Sequence, residues 1–430
     1  MAATDATGSS TGAALFGIPI EFYIFAVTLT AVAVLHHHPL VVAGTGLAAV
    51  VAFKLAVTGF HAGPGLSGLM AHLAHESITI GNLFLLLVGF GLLARHFEES
   101  KVPEALPAVL PDDWTGGLVL LALIFVLSAF LDNIAAALIG GTAASHVYRG
   151  KVHLSYLAAI VAASNAGGSG SVLGDTTTTM MWIDGVSPLD VLHAYVAAVV
   201  AFLIFGTIAA RTQHAYNPIL KDPVGKPAID GARIGIVAAI LIAAVSANVL
   251  ANLYAPALLK QWPVLGLAVA TAIFVTAPIR TPDWSIVPGA AKGAIFLLAL
   301  VLSASLMPVE ALPVASWQTA LGLGFVSAIF DNIPLTALAL RQGGYDWGFL
   351  AFAVGFGGSM VWFGSSAGVA LSSLYPESRD AIAWLRAGWH IPVSYVIGFF
   401  VMLMVLGWHP HEPHRTTPTA PATPTAADHP

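Results

Sequence analysis

The heptapeptide Ser128-Ala129-Phe130-Leu131-Asp132-Asn133-Ile134 returns in the second half of the chain as Ser327-Ala328-Ile329-Phe330-Asp331-Asn332-Ile333. A second motif follows each copy. Gly167-Gly168-Ser169 stands four residues before Gly174-Asp175, and Gly357-Gly358-Ser359 stands four residues before Gly364-Ser365. Two unrelated motifs in the same order point to an internal repeat. Both copies interrupt apolar stretches, 115–184 and 314–376, with Asp, Asn, Gly and Ser. Broken backbone at membrane depth survives only where it is buried or lines a cavity. There its free carbonyls and half-helix ends are ligands for an ion, and Asp, Asn, Ser and Thr add hard oxygen donors.

Composition says why membrane depth is the right setting. Of 430 residues, 57% are hydrophobic and only 9% charged, against ~25% charged in soluble domains. A surface of that size cannot be kept in water with so few charges, so the surplus apolar area faces lipid. The absence of cysteine excludes disulfide frameworks, Cys-zinc sites and iron–sulfur clusters. Neither glycine cluster ends in the Gly-Lys-Ser/Thr of a phosphate loop, so nothing supports an ATP-driven pump or another enzyme, a resident cofactor or a nucleic-acid partner. Residues 1–15 lack a basic n-region and read as a tail, not a signal peptide. The Pro/Thr/Ala-rich stretch 409–430 reads as disordered.

Plain spans are expected near 16–35, 40–59, 80–95 and 188–210, then near 233–252, 263–280, 287–306 and 391–408. Each broken region reads as a re-entrant hairpin (about 115–147 and 314–343) followed by one unwound crossing (about 154–184 and 347–376). The loops then sort the basic residues. Arg95, Lys101, Arg149, Lys151, Arg211, Lys221, Lys226, Arg233, Arg280, Arg379 and Arg386 share one face, and Lys260, Arg341 and Arg415 the other. The positive-inside rule makes the first face cytoplasmic and leaves both termini outside. The expected fold is therefore all-α and polytopic: repeats 16–210 and 233–408 joined by a cytoplasmic linker, 211–232. With five crossings in each half, the two repeats are inverted.

Asn165-Ala166-Gly167-Gly168-Ser169, Gly174-Asp175-Thr176-Thr177-Thr178-Thr179, the two Asp-Asn-Ile motifs and Gly364-Ser365-Ser366-Ala367-Gly368 resemble the ion transporter superfamily. The likeness is to NhaD-type sodium/proton antiporters and to bacterial citrate-transporter-like proteins, and it runs from about residue 80 to 405. It implies hairpin tips at Asp132-Asn133 and Asp331-Asn332 and unwound crossings at 165–175 and 355–366. It carries cation binding to Asp132, Asn133, Asn165, Asp175, Thr176, Thr177, Asp331, Asn332, Ser359, Ser365 and Ser366, with Ser169 beside them. Gly167, Gly168, Gly174, Gly357, Gly358 and Gly364 would unwind the backbone. The transported ions would be Na⁺ or Li⁺ against H⁺, sharing the carboxylates by alternating access. Import of citrate or another carboxylate, as a metal complex or with sodium, is the alternative. A homodimer in a bacterial-type inner membrane is expected from the same resemblance.

Plainer readings compete at several positions. The three Asp residues could cap half-helices. Thr178 and Thr179 read as local packing. His72 and His75, one helical turn apart with Glu76 adjacent, make a zinc site geometrically possible, without a third ligand in view. His36-His37-His38 reads as interfacial, His146 as a weak proton-relay candidate, and Lys54 and Lys292 as snorkelling residues, Lys54 alternatively pairing with an acid.

Overall fold

In the computed structural model, residues 14–35, 38–61, 63–105, 110–219, 228–259 and 261–411 are described. Most of the expected tails and residues 220–227 of the expected linker, together with His36 and His37, lie outside them. Apart from a two-residue ladder pairing Ala14–Leu15 with Ile18–Pro19, the described residues form helices, turns and loops. The first-half helices are α1 (Ile20–Val34), α2 (Pro39–Phe53), α3 (Gly65–Glu99), α4 (Trp114–Ser128), α5 (Asn133–Val147), α6 (Leu154–Ser169), α7 (Thr176–Ile183) and α8 (Ala194–Tyr216). The same order follows in α9 (Gly231–Tyr254), α10 (Val264–Thr276), α11 (Val287–Ser305), α12 (Trp317–Ser327), α13 (Asn332–Gln342), α14 (Trp347–Gly357), α15 (Ser366–Leu374) and α16 (His390–Leu406). Shorter helical turns join them.

Among the described residues, five helical stretches are long and apolar enough to cross a membrane: 39–58, 65–99, 188–216, 231–251 and 284–305. A sixth arises if Ala381–Ala387 and α16, bent by 59°, form one span. The protein is a multi-pass membrane protein. Two expected spans come out short, α1 with 15 residues and α10 with 13. Pro263 and Pro278 bracket α10, and proline stops a helix by removing a donor and clashing with the preceding turn. In contrast, the span expected at 80–95 is part of a 35-residue helix, α3. His72, His75, Glu76 and Ser77 lower its hydropathy but not its helicity, so it runs on through them to Gly65. At 1.5 Å per residue it is ~52 Å long.

The helices pack as two groups. α1 packs on α2, α2 on α11, and α3 against α9, α10 and α11. The second group has α6 and α14 at its centre, with α4 and α8 against α6 and α12 and α16 against α14. All of α6 from Ser155 to Ser169 and all of α14 are buried. Packing between the halves is reciprocal: α5 lies on α15 of the second half, and α13 lies on α7 of the first. Matching hydroxyl bonds tie the end of α4 to α6 and the end of α12 to α14. Ser128 Oγ donates to Ser164 O at 2.5 Å, and Ser327 Oγ to Val354 O at 2.7 Å.

The glycines of both motifs serve close approach. A Cβ on Gly167 would collide with the Phe125 carbonyl and one on Gly357 with that of Gly324. None of the six motif glycines has a left-handed φ. Their missing side chains let α6 and α14 cross α4 and α12 backbone to backbone, as small residues do in lipid-embedded bundles.

Candidate functional site

The helices break where the repeated motifs stand: between α4 and α5 at 129–132, between α6 and α7 at 170–175, and at the matching points of the second half. Each restart leaves backbone N–H groups without helical partners, and side chains of the motifs satisfy several of them. Asp175 accepts from Thr177 N at 3.3 Å, Asp331 from Ile333 N at 3.1 Å and Ser365 from Gly368 N at 3.3 Å. Asp132 differs. It makes no side-chain cap on α5, and its Oδ1 is buried without a hydrogen-bond partner among the described residues. Capping accounts for Asp175 and Asp331 in part, and not for Asp132.

Asp175 is the centre of the cluster. Besides the Thr177 amide, its carboxylate accepts from Thr177 Oγ1 at 2.8 Å, Asn133 Nδ2 at 3.3 Å and Asn332 Nδ2 at 3.3 Å. Four donors match the roughly four acceptor positions of a carboxylate. The two Asn donors stand at the starts of α5 and α13, so both halves of the chain converge on one acid. Asn165, fully buried on α6, ties the rest together. Its Oδ1 accepts from Asn133 Nδ2 at 3.0 Å, and its Nδ2 bonds Ser359 Oγ and Ser365 Oγ, each at 3.0 Å.

The sequence-derived residues therefore fall into groups. Asn133, Asn165, Asp175, Thr177, Asn332, Ser359 and Ser365 form one hydrogen-bonded network. Asp331 stands beside it, bonded to Ser366 Oγ at 2.8 Å. Asp132, Asp175 and Thr176 share a small cleft of about 10 Å³ with Thr179 and apolar residues of α3. That is close to the room one water-sized sphere needs. Ser169 stays out of the network, its hydroxyl donating to Ala166 O at 2.8 Å. Thr178 and Thr179 donate to backbone carbonyls of 171, 172 and 175.

Asp132 also forms the inner end of a second, larger cavity of about 500 Å³. Its walls are α3, α5 and α11, including Leu87, Phe90, Ile134, Leu138 and Leu297, and it reaches Arg95 and Glu98 near the end of α3. That end is held by ion pairs: Arg95 to Glu98 at 2.7 Å and Asp283 at 3.1 Å, Arg233 to Glu99 at 2.7 Å, and Arg280 to Asp230 at 2.9 Å. Hydrogen bonds from Arg280 and from the amides of Arg233 and Ala232 hold Asp230 below the usual carboxylate range. Ser285, and then Arg95, do the same for Asp283.

One residue of the site escaped the sequence reading. A Cβ on Gly355 would lie 3.2 Å from Asp175 Oδ2 and 3.3 Å from Ser169 Cβ. Counting back from the Gly-Gly-Ser motifs sets Gly355 opposite Asn165, and that alignment is the signal that could have found it. The histidine expectations separate too. His146 is exposed and bonds Thr142 O at 2.8 Å, remote from the cluster. No group of three or more His, Asp or Glu among the described residues could hold a metal ion, which leaves the zinc reading of His72, His75 and Glu76 without a site.

No family model matches the chain. Two curated proteins are similar to it. Sodium/proton antiporter 1 of Arabidopsis thaliana is 25% identical over 424 residues, covering 88% of this chain and 70% of that protein. Sodium/proton antiporter 2 of the same plant is 26% identical over 285 residues, covering 58% of this chain and 67% of that protein. Both relatives are named as transporters, and neither as an enzyme. The first similarity takes in most of the chain, and so most of the elements from which the cluster is built.

Proposed function

We propose that the protein is a secondary active transporter exchanging Na⁺, or Li⁺, for H⁺. The observation that carries this reading is the division of labour between two neighbouring acids. Asp175 has its acceptor positions occupied by four protein donors, whereas Asp132 has an oxygen without a partner among the described residues and faces the same cleft. A carboxylate so placed is stabilised by one cation or by one proton, and binding of either excludes the other. Asp132 is then the exchanging group, with Asp175 as the fixed neighbouring charge and Thr176 and the backbone near 170–175 as further oxygens. The larger cavity is its route to the face carrying Arg95 and Glu98. The names of the two relatives support the same pair of ions.

Neither relative supports citrate or another carboxylate as cargo. Two acids line the cleft and a third, Asp331, stands beside the network, which disfavours a polyanion, and among the described residues no Arg or Lys side chain is seen to hydrogen-bond the cluster.

The reciprocal packing of α5 on α15 and α13 on α7 supports two inverted repeats, near 16–210 and 233–408, with re-entrant hairpins and alternating access around the cleft. The clustering of Arg95, Arg233 and Arg280 at one end supports a cytoplasmic placement of that end and outside termini. A homodimer in a bacterial-type inner membrane remains part of the proposal on resemblance alone.

Proteoliposomes with an imposed pH gradient test the central claim. Na⁺ or Li⁺ should dissipate the gradient, and Asp132→Asn and Asp175→Asn should each abolish the effect. A gradient that cations leave untouched, in vesicles that accumulate labelled citrate, would overturn the reading.

A further inference from the structure

The large cavity beside Asp132 has walls that a route for small ions does not require. Apart from Asp132, the polar side chains among its lining residues are Arg95, Glu98 and Thr142, and the first two pair with each other at 2.7 Å. The rest of the lining is apolar, with Leu87 and Phe90 on α3, Ile134 and Leu138 on α5, and Leu297 on α11. Such walls offer a dehydrating ion no oxygen ligands. They favour a ligand with apolar surface of its own to remove from water.

Size agrees with that chemistry. The volume of about 500 Å³ lies within the ~300–1,000 Å³ of pockets for small organic ligands, which are mostly apolar with a few placed polar groups. At 1.5 Å per residue, the α3 wall from Leu87 to Glu98 is ~16 Å long, enough for an aryl group on a short alkyl chain.

The placed polar group is Asp132. At the other end of α3, buried ionisable groups have protein partners. Glu76 Oε1 pairs with Arg341 at 3.3 Å, Lys54 Nζ lies 3.9 Å from Glu21 Oε1, and His72 Nε2 bonds Ser305 Oγ at 2.9 Å. Lys54 thus faces an acid instead of snorkelling. Asp132 differs, because its Oδ1 is buried without a hydrogen-bond partner and no Lys, Arg or His side chain among the described residues is seen to pair with it. A charge at membrane depth is costly and calls for a partner, and an ionised carboxylate only accepts hydrogen bonds. A ligand that completes this site carries positive charge and N–H groups at one end and apolar surface along the rest.

We propose that the cavity binds a protonated primary amine bearing an aryl or branched alkyl group, with its ammonium on the Asp132 carboxylate and its apolar body between α3, α5 and α11. A quaternary ammonium has the charge without the N–H, and an alcohol of the same shape has a donor without the charge, so both bind more weakly. Asp132 is also the exchanging acid of the transport reading, and a bound amine competes there with Na⁺ and H⁺. That consequence rests on the transport reading, whereas the binding itself does not.

Calorimetric titration of the detergent-purified protein with phenylbutylammonium, blanked against protein-free micelles, tests the site. Saturable binding of one amine per chain is expected. Asp132→Asn removes a charge-assisted hydrogen bond and should weaken binding about tenfold or more. Gly293→Leu tests the cavity independently. Gly293 of α11 lines it, and a Cβ there meets no atom within 4 Å, so the added side chain occupies the cavity without a backbone clash and should weaken binding by a similar factor. The trimethylammonium analogue and phenylbutanol should each bind about tenfold more weakly than the amine. Absence of saturable binding, an affinity unchanged by Asp132→Asn or by Gly293→Leu, or equal binding of either analogue would overturn the proposal. No ion gradient enters the titration. Protein that exchanges Na⁺ for H⁺ in vesicles but binds no amine refutes the amine site alone, and protein that binds the amine as expected but exchanges no ions refutes the transport reading alone.

Discussion

Replacing Asn165 by Ala is the sharpest probe of the cluster, because this side chain links α6 to Asn133 at the start of α5 and to both sides of the break between α14 and α15. Three hydrogen bonds disappear, to Asn133, Ser359 and Ser365, each 3.0 Å long. All partners are buried, so water does not replace the lost group. A neutral buried hydrogen bond contributes about 1 kcal/mol net, which gives about 3 kcal/mol for the set. Both serine oxygens accept in these bonds, so a neighbouring carbonyl cannot take the place of the lost amide donor. The expected destabilisation is therefore about 3 kcal/mol. Reversible unfolding in mixed micelles measures it, with Asn332→Ala, which loses one bond to the Asp175 carboxylate, as a comparison expected at about 1.5–3 kcal/mol. Losing the strut on Asn133 also loosens a donor to Asp175, so half-saturation by Na⁺ in the proteoliposome assay should rise about tenfold, equivalent to ~1.4 kcal/mol. A stability change under about 0.5 kcal/mol, the size of an ordinary surface substitution, with unaltered Na⁺ dependence would refute the network as drawn.

Asp175→Asn should abolish Na⁺-dependent proton flux while the protein remains folded, since removing a buried charge lifts a desolvation cost even as it upsets two Asn donors; circular dichroism and transport on one preparation check both halves. Gly355→Ala places a methyl group against Asp175 and Ser169, and overpacking of this kind costs about 1–3 kcal/mol; flux should fall more than the amount of folded protein, and equal falls would count against a site role. The Asp230–Arg280 pair predicts an acid-sensitive contribution. Because the folded state holds Asp230 below its ordinary value, the stabilisation is fully present above about pH 4 and is lost as pH falls through the lower folded value. The stability difference between the parent and Asp230→Asn, followed with pH, should shrink only on the acid side.

Much of the architecture could be read before any coordinates. Helix interruptions at Asp132, 170–175, Asp331 and 358–365 follow from Asp, Asn, Gly and Ser in otherwise apolar runs, whose local chemistry disfavours a continuous helix. Lengths were harder to read. Hydropathy stopped the third span at residue 80 because His72 and Glu76 are polar, yet polar residues with neutral helix propensity do not end a helix when tertiary partners such as Ser305 and Arg341 receive them. Proline trimmed α10 for the opposite reason, a covalent restriction that apolar composition cannot offset.

The sequence alone determined that this is a membrane protein with a twofold internal motif, and which acids stand in its breaks, because composition and helix-breaking chemistry are local properties of the chain. Only the tertiary structure decided how those acids differ. Asp132, Asp175 and Asp331 look alike in their motifs, but Asp175 is surrounded by donors from both halves of the chain, Asp331 by its own cap and Ser366, and Asp132 has an oxygen without a partner among the described residues, at the meeting of two cavities. It likewise decided that Lys54 faces Glu21 and that Glu76 meets Arg341 across 265 positions of sequence. Such pairings depend on which helices pack together, and distance along the chain carries no information about that.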